Sequence, residues 1–189
     1  MLHQFIKTTT EAHVCKLLII CGISFAGKST LGAAIARRFG YANVDVDVTK
    51  MDLYGEDAVD ERLMQCDWDK IYNETDNRVL SHLRAGRSVL DASRNFRKAE
   101  RDNIRSLAAG LGVQIITIFV DTPEAVARQR LLENRLSKTR SDLSESDFER
   151  IAQLMEPPSV AENPLIFSNE AEIDWWIEKH TNWLSAIAL

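Results

Sequence analysis

The chain has 189 residues, a formal net charge of −5 and a sequence pI of about 5.4. This length suffices for one domain with a sizeable core, and the acidic balance argues against a broad electrostatic grip on long nucleic acid. The three cysteines, Cys15, Cys21 and Cys66, lack a metal-binding spacing and suit a reducing compartment. No apolar run approaches membrane-spanning length, and the first thirteen residues lack a signal-peptide pattern. We therefore expect a cytoplasmic protein that has no membrane partner.

The first predicted strand leads into a glycine-rich loop. Residues 16–21 form a continuous apolar run that is typical of a buried strand. Residues 22–29 read GISFAGKS and match the Walker A pattern G-x-x-x-x-G-K-[ST]. Residues 30–39 have apolar side chains at helical spacing and are followed by Gly40, which predicts the end of this helix. The motif thus lies between a strand and a helix, as a phosphate-binding loop requires.

This motif predicts ATP and Mg²⁺ as cofactors. Gly22 and Gly27 let the backbone curl closely around an anion, and the following helix adds the positive end of its dipole. Lys28 is expected to contact the β- and γ-phosphates, and the Ser29 hydroxyl is expected to bind Mg²⁺. The full predicted nucleotide-binding set in this loop is Gly22, Ser24, Ala26, Gly27, Lys28, Ser29 and Thr30.

Two aspartates characterise the second predicted strand, residues 43–48, in which Val and Asp alternate. A strand buried on both faces does not readily hold carboxylates, so one of them should lie at the carboxyl end, where open α/β sheets bind ligands. We favour Asp47 for this position. The alternative is that Asp45 or Asp47 only caps the helix that follows. Helices are then predicted near residues 58–65 and over 68–85, bordering a pocket for the phosphate acceptor.

The third predicted strand, residues 88–91, again ends in an aspartate, Asp91. A basic helix follows over 97–111, and its charges are expected to form a solvated face. The apolar run 113–120 predicts a fourth strand, and residues 124–136 predict a helix that carries Arg128 and Arg135.

The last part of the chain completes an alternating pattern. A cationic linker over 137–143 contains Arg140, a helix follows over 144–155, a short fifth strand over 164–168, and a closing helix over 171–188. Strands that alternate with helices predict a parallel sheet. We therefore expect an α/β fold, a three-layer α/β/α sandwich with a five-stranded parallel sheet. A single domain should span 1–189, with a helical lid at about 124–156.

Several segments together resemble the small P-loop kinases of the zeta-toxin and polynucleotide-kinase-like branch. The resemblance covers roughly residues 16–170. The phosphate loop is specific to the superfamily, whereas the Asp-Ala-Ser stretch at 91–93 and the Ser-Asp at 141–142 before Glu-Pro-Pro at 156–158 are typical of the branch. The implied fold is the P-loop nucleoside-triphosphate-hydrolase (kinase) fold with a helical lid.

The resemblance also implies roles for individual residues. Asp47 matches the general base of the family, and Asp91 matches an aspartate of the substrate pocket, also a candidate for the magnesium site beside Ser29. Lys50 stands where family members often carry an arginine that steers the acceptor. Arg128 falls in the lid region of the family and is a predicted nucleotide-binding residue. Arg135 and Arg140 fall in the lid region and are the predicted phosphate contacts.

The sequence therefore predicts an ATP-dependent phosphotransferase that moves the γ-phosphate to a hydroxyl of a small molecule. Catalysis would rest on Lys28, Asp47, Arg135 and Arg140, and acceptor binding on Asp47, Lys50 and Asp91. No Asn-Lys-x-Asp motif supports a GTPase, and no apolar strand ends in Asp-Glu as in a mechanical ATPase. Two alternatives stay open: a 5′-hydroxyl polynucleotide kinase acting on short nucleic acid, and a nucleotide-binding regulatory module with little transfer activity.

Overall fold

Five parallel strands form one sheet in the computed structural model, which describes residues 14–55, 58, 60–138 and 142–186. The spatial order is β2-β3-β1-β4-β5, so the first strand lies at the centre. The strands are β1 Lys16–Cys21, β2 Ala42–Val44, β3 Val89–Asp91, β4 Gln114–Asp121 and β5 Leu165–Ser168. Because all strands run in one direction, the loops that follow them meet at one edge of the sheet.

Helices connect the strands. They are α1 Lys28–Phe39, α2 Val46–Tyr54, α3 Gln65–Arg84, α4 Lys98–Ala108, α5 Glu124–Ser137, α6 Glu145–Leu154, α7 Ile173–Lys179 and α8 Thr181–Leu184. Short 3₁₀ turns lie at Asp60–Arg62 and Val160–Glu162. Among the described residues, no helix has the length and apolar character needed to cross a bilayer.

The side chains of β1 alternate between two cores, one on each face of the sheet. Leu18 and Ile20 belong to a cluster with residues of α1 and α7, whereas Leu17 and Ile19 belong to a cluster with residues of α3 and α4. All four side chains are completely buried, as expected for a central strand covered on both faces. The predicted three-layer sandwich with a five-stranded parallel sheet is therefore confirmed.

The second strand is shorter than the sequence indicated. It ends at Val44, and the Asp45 side chain accepts a hydrogen bond of 2.8 Å from the Asp47 amide, which caps α2. Because an aspartate is a good N-cap, helix α2 begins at Val46, inside the segment 43–48 that the alternation assigned to the strand. Asp47 therefore lies in the first turn of α2. Its predicted place at the end of the strand is wrong, and the capping alternative is correct for Asp45.

The basic helix α4 contains a buried arginine, contrary to the expectation of a wholly solvated charged face. Arg101 is fully buried and makes two hydrogen bonds to Glu162, of 2.8 and 3.0 Å. It also donates to the carbonyl oxygens of Asn95 and Phe96. Arg105 donates to the same carboxylate at 2.7 Å. Helix α4 thereby ties the loop after β3 to the segment that precedes β5.

Replacing Arg101 by Met should destabilise the protein by about 3–5 kcal/mol, because the substitution leaves the Glu162 carboxylate buried with fewer partners. Urea unfolding measures this loss. Lys98→Met in the same helix is the control, since the Lys98–Asp102 pair is exposed and should contribute less than about 1 kcal/mol. Equal losses in the two variants would contradict a special role for the buried pair.

The same cluster predicts an acid-dependent loss of stability. Hydrogen bonds from Arg101, and then from Arg105, lower the pKa of Glu162 from 4.5 to about 2. A carboxyl group whose pKa is lower in the folded state than in the unfolded state stabilises the folded state at pH values above its unfolded pKa. This stabilisation is lost as the pH falls through the pKa of the folded state. The difference in unfolding free energy between the wild type and Glu162→Gln should therefore shrink as the pH falls from 4.5 towards 2. A constant difference across this range would rule out the proposed linkage.

Candidate active site

The glycine-rich loop after β1 has the backbone of an anion cradle. Gly22, Phe25 and Gly27 have φ values of 146°, 60° and 109°. A Cβ at Gly22 would lie 2.7 Å from the Val120 carbonyl oxygen, so a side chain does not fit there. At positions 22 and 27 the loop can follow this path because glycine tolerates positive φ and close backbone contact.

Two side chains hold the loop from behind. The Ala26 carbonyl oxygen accepts hydrogen bonds from Thr122 Oγ1 at 2.9 Å and from Arg130 Nη1 at 2.8 Å. The carbonyl and the following N–H of one peptide unit point in opposite directions. Holding the Ala26 carbonyl therefore turns the Gly27 amide away from Thr122 and Arg130. Gly27 is also the N-cap of α1 and supplies no side-chain cap, so the first-turn amides suit an anion.

Lys28 begins α1 and folds back over the loop. Its Nζ donates to the carbonyl oxygens of Gly22 at 2.8 Å and Ile23 at 2.9 Å. The ammonium group is thus held at the mouth of the cradle. The neighbouring Cys21 is not a nucleophile, since burial raises the pKa of its thiol to about 12.

Two cavities flank the loop. The larger, about 530 Å³, is bordered by the loop, the start of α2, the start of α3, the loop after β3 and helix α6. The smaller, about 380 Å³, lies between the loop, α5 and the residues after β5. Phe25 and Gly27 line both cavities. The glycine-rich loop is therefore the shared wall between two sites of ligand size.

Most predicted loop residues lie at these cavities. Ser24, Gly27, Lys28 and Ser29 line the larger cavity, and Ala26, Gly27 and Thr30 line the smaller. Gly22, the first residue of the loop, is buried. Asp47 is half-buried and lines the larger cavity together with Asp45, so the shift into α2 leaves it in the same site.

Lys50 and Asp91 lie behind the cavity wall. Lys50 is 5% exposed, and its Nζ lies 2.6 Å from Asp60 Oδ1, which lines the larger cavity. Asp91 is 3% exposed and accepts hydrogen bonds from the Ser93 amide at 3.0 Å and from Asn95 Nδ2 at 2.9 Å. In this arrangement Asp91 shapes the loop after β3, and its proposed contact with acceptor or metal stays a prediction.

Two arginines of the predicted lid, Arg128 and Arg135, contact carboxylates of the protein itself. Arg128 forms ion pairs with Glu124 and Glu145, and its guanidinium lies over the Phe148 ring. Arg135 donates to the Leu143 carbonyl oxygen at 2.9 Å and pairs with Asp142. These contacts join α5 to the linker and to α6. Arg140 lies outside the described residues, so its predicted phosphate contact stays a prediction.

Several residues at the two cavities were not predicted from the sequence. Arg94 and Arg150 line the larger cavity, and Arg130 and Asn169 line the smaller. Asn169 follows β5 directly, at the same edge of the sheet as the other loops, and this position could have indicated it. Arg94 lies in the loop after β3, at the same edge, so the same reasoning could have indicated it. Arg130 and Arg150 had no such signal, because helical arginines are usually solvated.

The donor set of the larger cavity fits a magnesium ion. It brings together the Ser29 hydroxyl and the carboxylates of Asp45 and Asp47, and hard oxygen ligands are those that Mg²⁺ prefers. Among the described residues, no group of three or more His, Cys, Asp or Glu side chains forms a complete metal site. Mg²⁺ is usually held by one or two protein oxygens together with phosphates and water.

The sheet order, the loop and the helices define the fold of the small P-loop kinases. The solved structure of Chaetomium thermophilum Kti12 in complex with ADP-AlF3 is similar, with a TM-score of 0.72 and 16% identity, covering 92% of this chain and 100% of the other. Mycobacterium tuberculosis APS kinase CysC with AMPPNP and APS has a TM-score of 0.65 and 18% identity, covering 92% and 99%. A sugar kinase from Janibacter sp. HTCC2649 has a TM-score of 0.64 and 18% identity, covering 93% and 99%.

Residues 17–158 match the family described as an AAA domain, and the chain belongs to that family. No significant match is found among curated proteins. The resemblance to small P-loop kinases is confirmed, and the protein is P-loop kinase-like with a nucleotide-binding loop.

Substitutions of Arg128 and Arg130 on α5 test whether Arg128, as the sequence predicted, or Arg130, as the structure indicates, contributes to nucleotide binding. Arg130→Leu should weaken the binding of Mg-ATP by about tenfold, because it removes the hydrogen bond to the Ala26 carbonyl and part of the wall of the smaller cavity. Arg128→Leu, two residues away, should change the affinity by less than about twofold, since Arg128 contacts α6. Isothermal titration calorimetry measures both. A larger loss for Arg128→Leu would instead support its predicted contact with nucleotide.

Proposed function

We propose that the protein is an ATP-dependent phosphotransferase that moves the γ-phosphate to a hydroxyl group of a small molecule. The observation that carries this proposal is the position of the loop between two cavities. The smaller cavity has the size for a nucleobase and ribose. The larger cavity contains Lys28, Ser29 and two carboxylates, which suits the phosphate end of the nucleotide and an acceptor.

The smaller cavity is the proposed base site. Its wall includes amide side chains from α5 and from the end of β5, Asn134 and Asn169, and the apolar side chains Phe167 and Ile173. Side-chain amides can both donate to and accept from the edge of a purine. ATP is the proposed nucleotide. Arg130 would border the base and orient the loop at the same time.

In the proposed reaction, the acceptor hydroxyl in the larger cavity attacks the γ-phosphorus. A bond forms between this oxygen and phosphorus, the bond to the bridging oxygen breaks, ADP leaves, and the hydroxyl proton passes to a carboxylate. We assign the proton to Asp47, which lines the larger cavity, with Asp45 of the same cavity as the alternative. Lys28 and the loop amides would stabilise the charge of the transferred group. Mg²⁺ bound by Ser29 and a carboxylate would supply further charge neutralisation.

The alternatives from the sequence receive less support. A polynucleotide acceptor needs a cationic groove, whereas the described lining of the larger cavity contains more carboxylates than cations. A regulatory module without phosphate transfer would require only nucleotide binding. The similarity to Kti12 concerns the fold alone, so it does not favour a regulatory module over a kinase.

Asp47→Asn should lower kcat by about 10²–10⁴-fold while leaving the affinity for Mg-ATP nearly unchanged, because it removes the proposed proton acceptor. The assay follows transfer of labelled γ-phosphate to a panel of small hydroxyl compounds. Asp52→Asn is the matched control on the same helix, since Asp52 pairs with Arg78 and does not line the cavity.

Three results would be informative. Full activity of Asp47→Asn together with loss in Asp45→Asn would move the role of base to Asp45. Full activity in both variants would overturn the carboxylate mechanism. Tight Mg-ATP binding without transfer to any acceptor would support the regulatory module.

A further inference from the structure

We infer that the acceptor carries a neutral or positively charged planar ring that packs against Trp68 and Tyr72. This inference rests on the proposed function, since it names the class of compound that the larger cavity would accept. It is carried by three features of the described cavity: an aromatic wall, an excess of carboxylates and a buried hydroxyl that lacks a partner.

The aromatic wall lies at the start of α3. Trp68 and Tyr72 are one helical turn apart, their ring centroids are 5.6 Å apart, and their planes make an angle of 30°. Both side chains are half-buried and line the larger cavity, as does Phe96 from the loop after β3. Aromatic side chains that border an open cavity offer surfaces on which a planar ring can stack.

Tyr72 is held in place before any ligand binds. The guanidinium carbon of Arg94 lies 4.1 Å from the centroid of the Tyr72 ring, and Arg94 Nη2 donates to Asp76 Oδ2 at 3.1 Å. Burial also raises the pKa of Tyr72. A wall fixed in this way loses little conformational entropy when a ring packs against it.

The charges of the cavity disfavour an anionic acceptor. Among the described lining residues, the carboxylates are Asp45, Asp47, Asp60, Asp142 and Asp147, and the cations are Lys28, Arg94 and Arg150. Arg94 already pairs with Asp76, and Arg150 lies 2.8 Å from Asp147. Lys28 lies at the anion cradle. An additional negative group on the acceptor would therefore face carboxylates.

A buried hydroxyl points to a polar group on the same ligand. Ser93 lines the larger cavity, and its Oγ is buried without a hydrogen-bond partner in the described part of the chain. Its amide donates to Asp91, which fixes the loop at this position. Buried hydroxyls are nearly always paired, so a ligand atom or water should complete this one. A ring that carries polar substituents meets this requirement better than a hydrocarbon ring.

Calorimetry with matched pairs of compounds tests the inference. The protein is first saturated with Mg²⁺ and a non-hydrolysable ATP analogue, so that the proposed base site is filled. Adenosine is then compared with ribose, and phenyl glucoside with methyl glucoside. We expect the ring compound to bind at least about tenfold more tightly than its partner in one or both pairs, as one stacking contact predicts. Adenosine should also bind more tightly than its 3′-monophosphate.

Substitutions locate the effect. Trp68→Leu should remove the preference for ring compounds, and Trp68→Phe should retain most of it. Trp175→Leu, at an exposed tryptophan of α7, should leave it unchanged. Equal affinity within both pairs, tighter binding of the 3′-monophosphate, or an unchanged preference in Trp68→Leu would each overturn the inference.

The phosphate-transfer assay separates this inference from the proposed function. Binding of a ring compound that depends on Trp68, without transfer to any acceptor, would uphold the inference and refute the proposed function. Transfer to ring-free sugars that is insensitive to Trp68→Leu would refute the inference and leave the proposed function standing.

Discussion

Two hydrogen bonds to the carbonyl oxygen of Ala26 fix the conformation of the glycine-rich loop on which the candidate active site depends. Ala26 O accepts from Thr122, which follows β4, and from Arg130 on α5. Glycine at positions 22 and 27 allows the curled path, but glycine also allows many other backbone conformations. The hydrogen bonds from Thr122 and Arg130, which lie outside the loop, stabilise this one conformation. The anion cradle therefore depends on elements about 100 residues away in sequence, and its geometry is a property of the whole sheet edge.

The opposite wall of the larger cavity depends on a second fixed point. Arg101 is buried, binds Glu162 through two hydrogen bonds and donates to two carbonyl groups of the loop after β3. This loop supplies Ser93, Arg94 and Phe96 to the cavity. A buried ion pair is a costly way to stabilise a fold, and hydrophobic residues often do as well. Here it also sets the path of a loop, and that gives the pair a function beyond stability.

Much of the fold could be predicted because it follows from local patterns. The apolar run of β1, the glycine loop and the alternation of strands and helices correctly indicated a five-stranded parallel sheet. The second strand was the exception, because the capping strength of Asp45 outweighed the alternation of valine and aspartate. The loop residues at the cavities were predictable from the motif. The helical arginines Arg130 and Arg150 were not, since an arginine that lines a cavity and one that faces solvent have the same sequence pattern, and only tertiary packing separates them.

Phe25 and Gly27 border both cavities, so a single stretch of backbone separates the proposed base site from the proposed acceptor site. A change in the conformation of this backbone would therefore alter both cavities. A substitution in this stretch that alters nucleotide preference should also change the KM for the acceptor, and evolution of a new acceptor preference is easier at the far wall, on α3 and α6, than at the loop. Within this scaffold, the side chains proposed to bind the nucleotide and those proposed to select the acceptor therefore lie on different walls, with the loop between the two cavities.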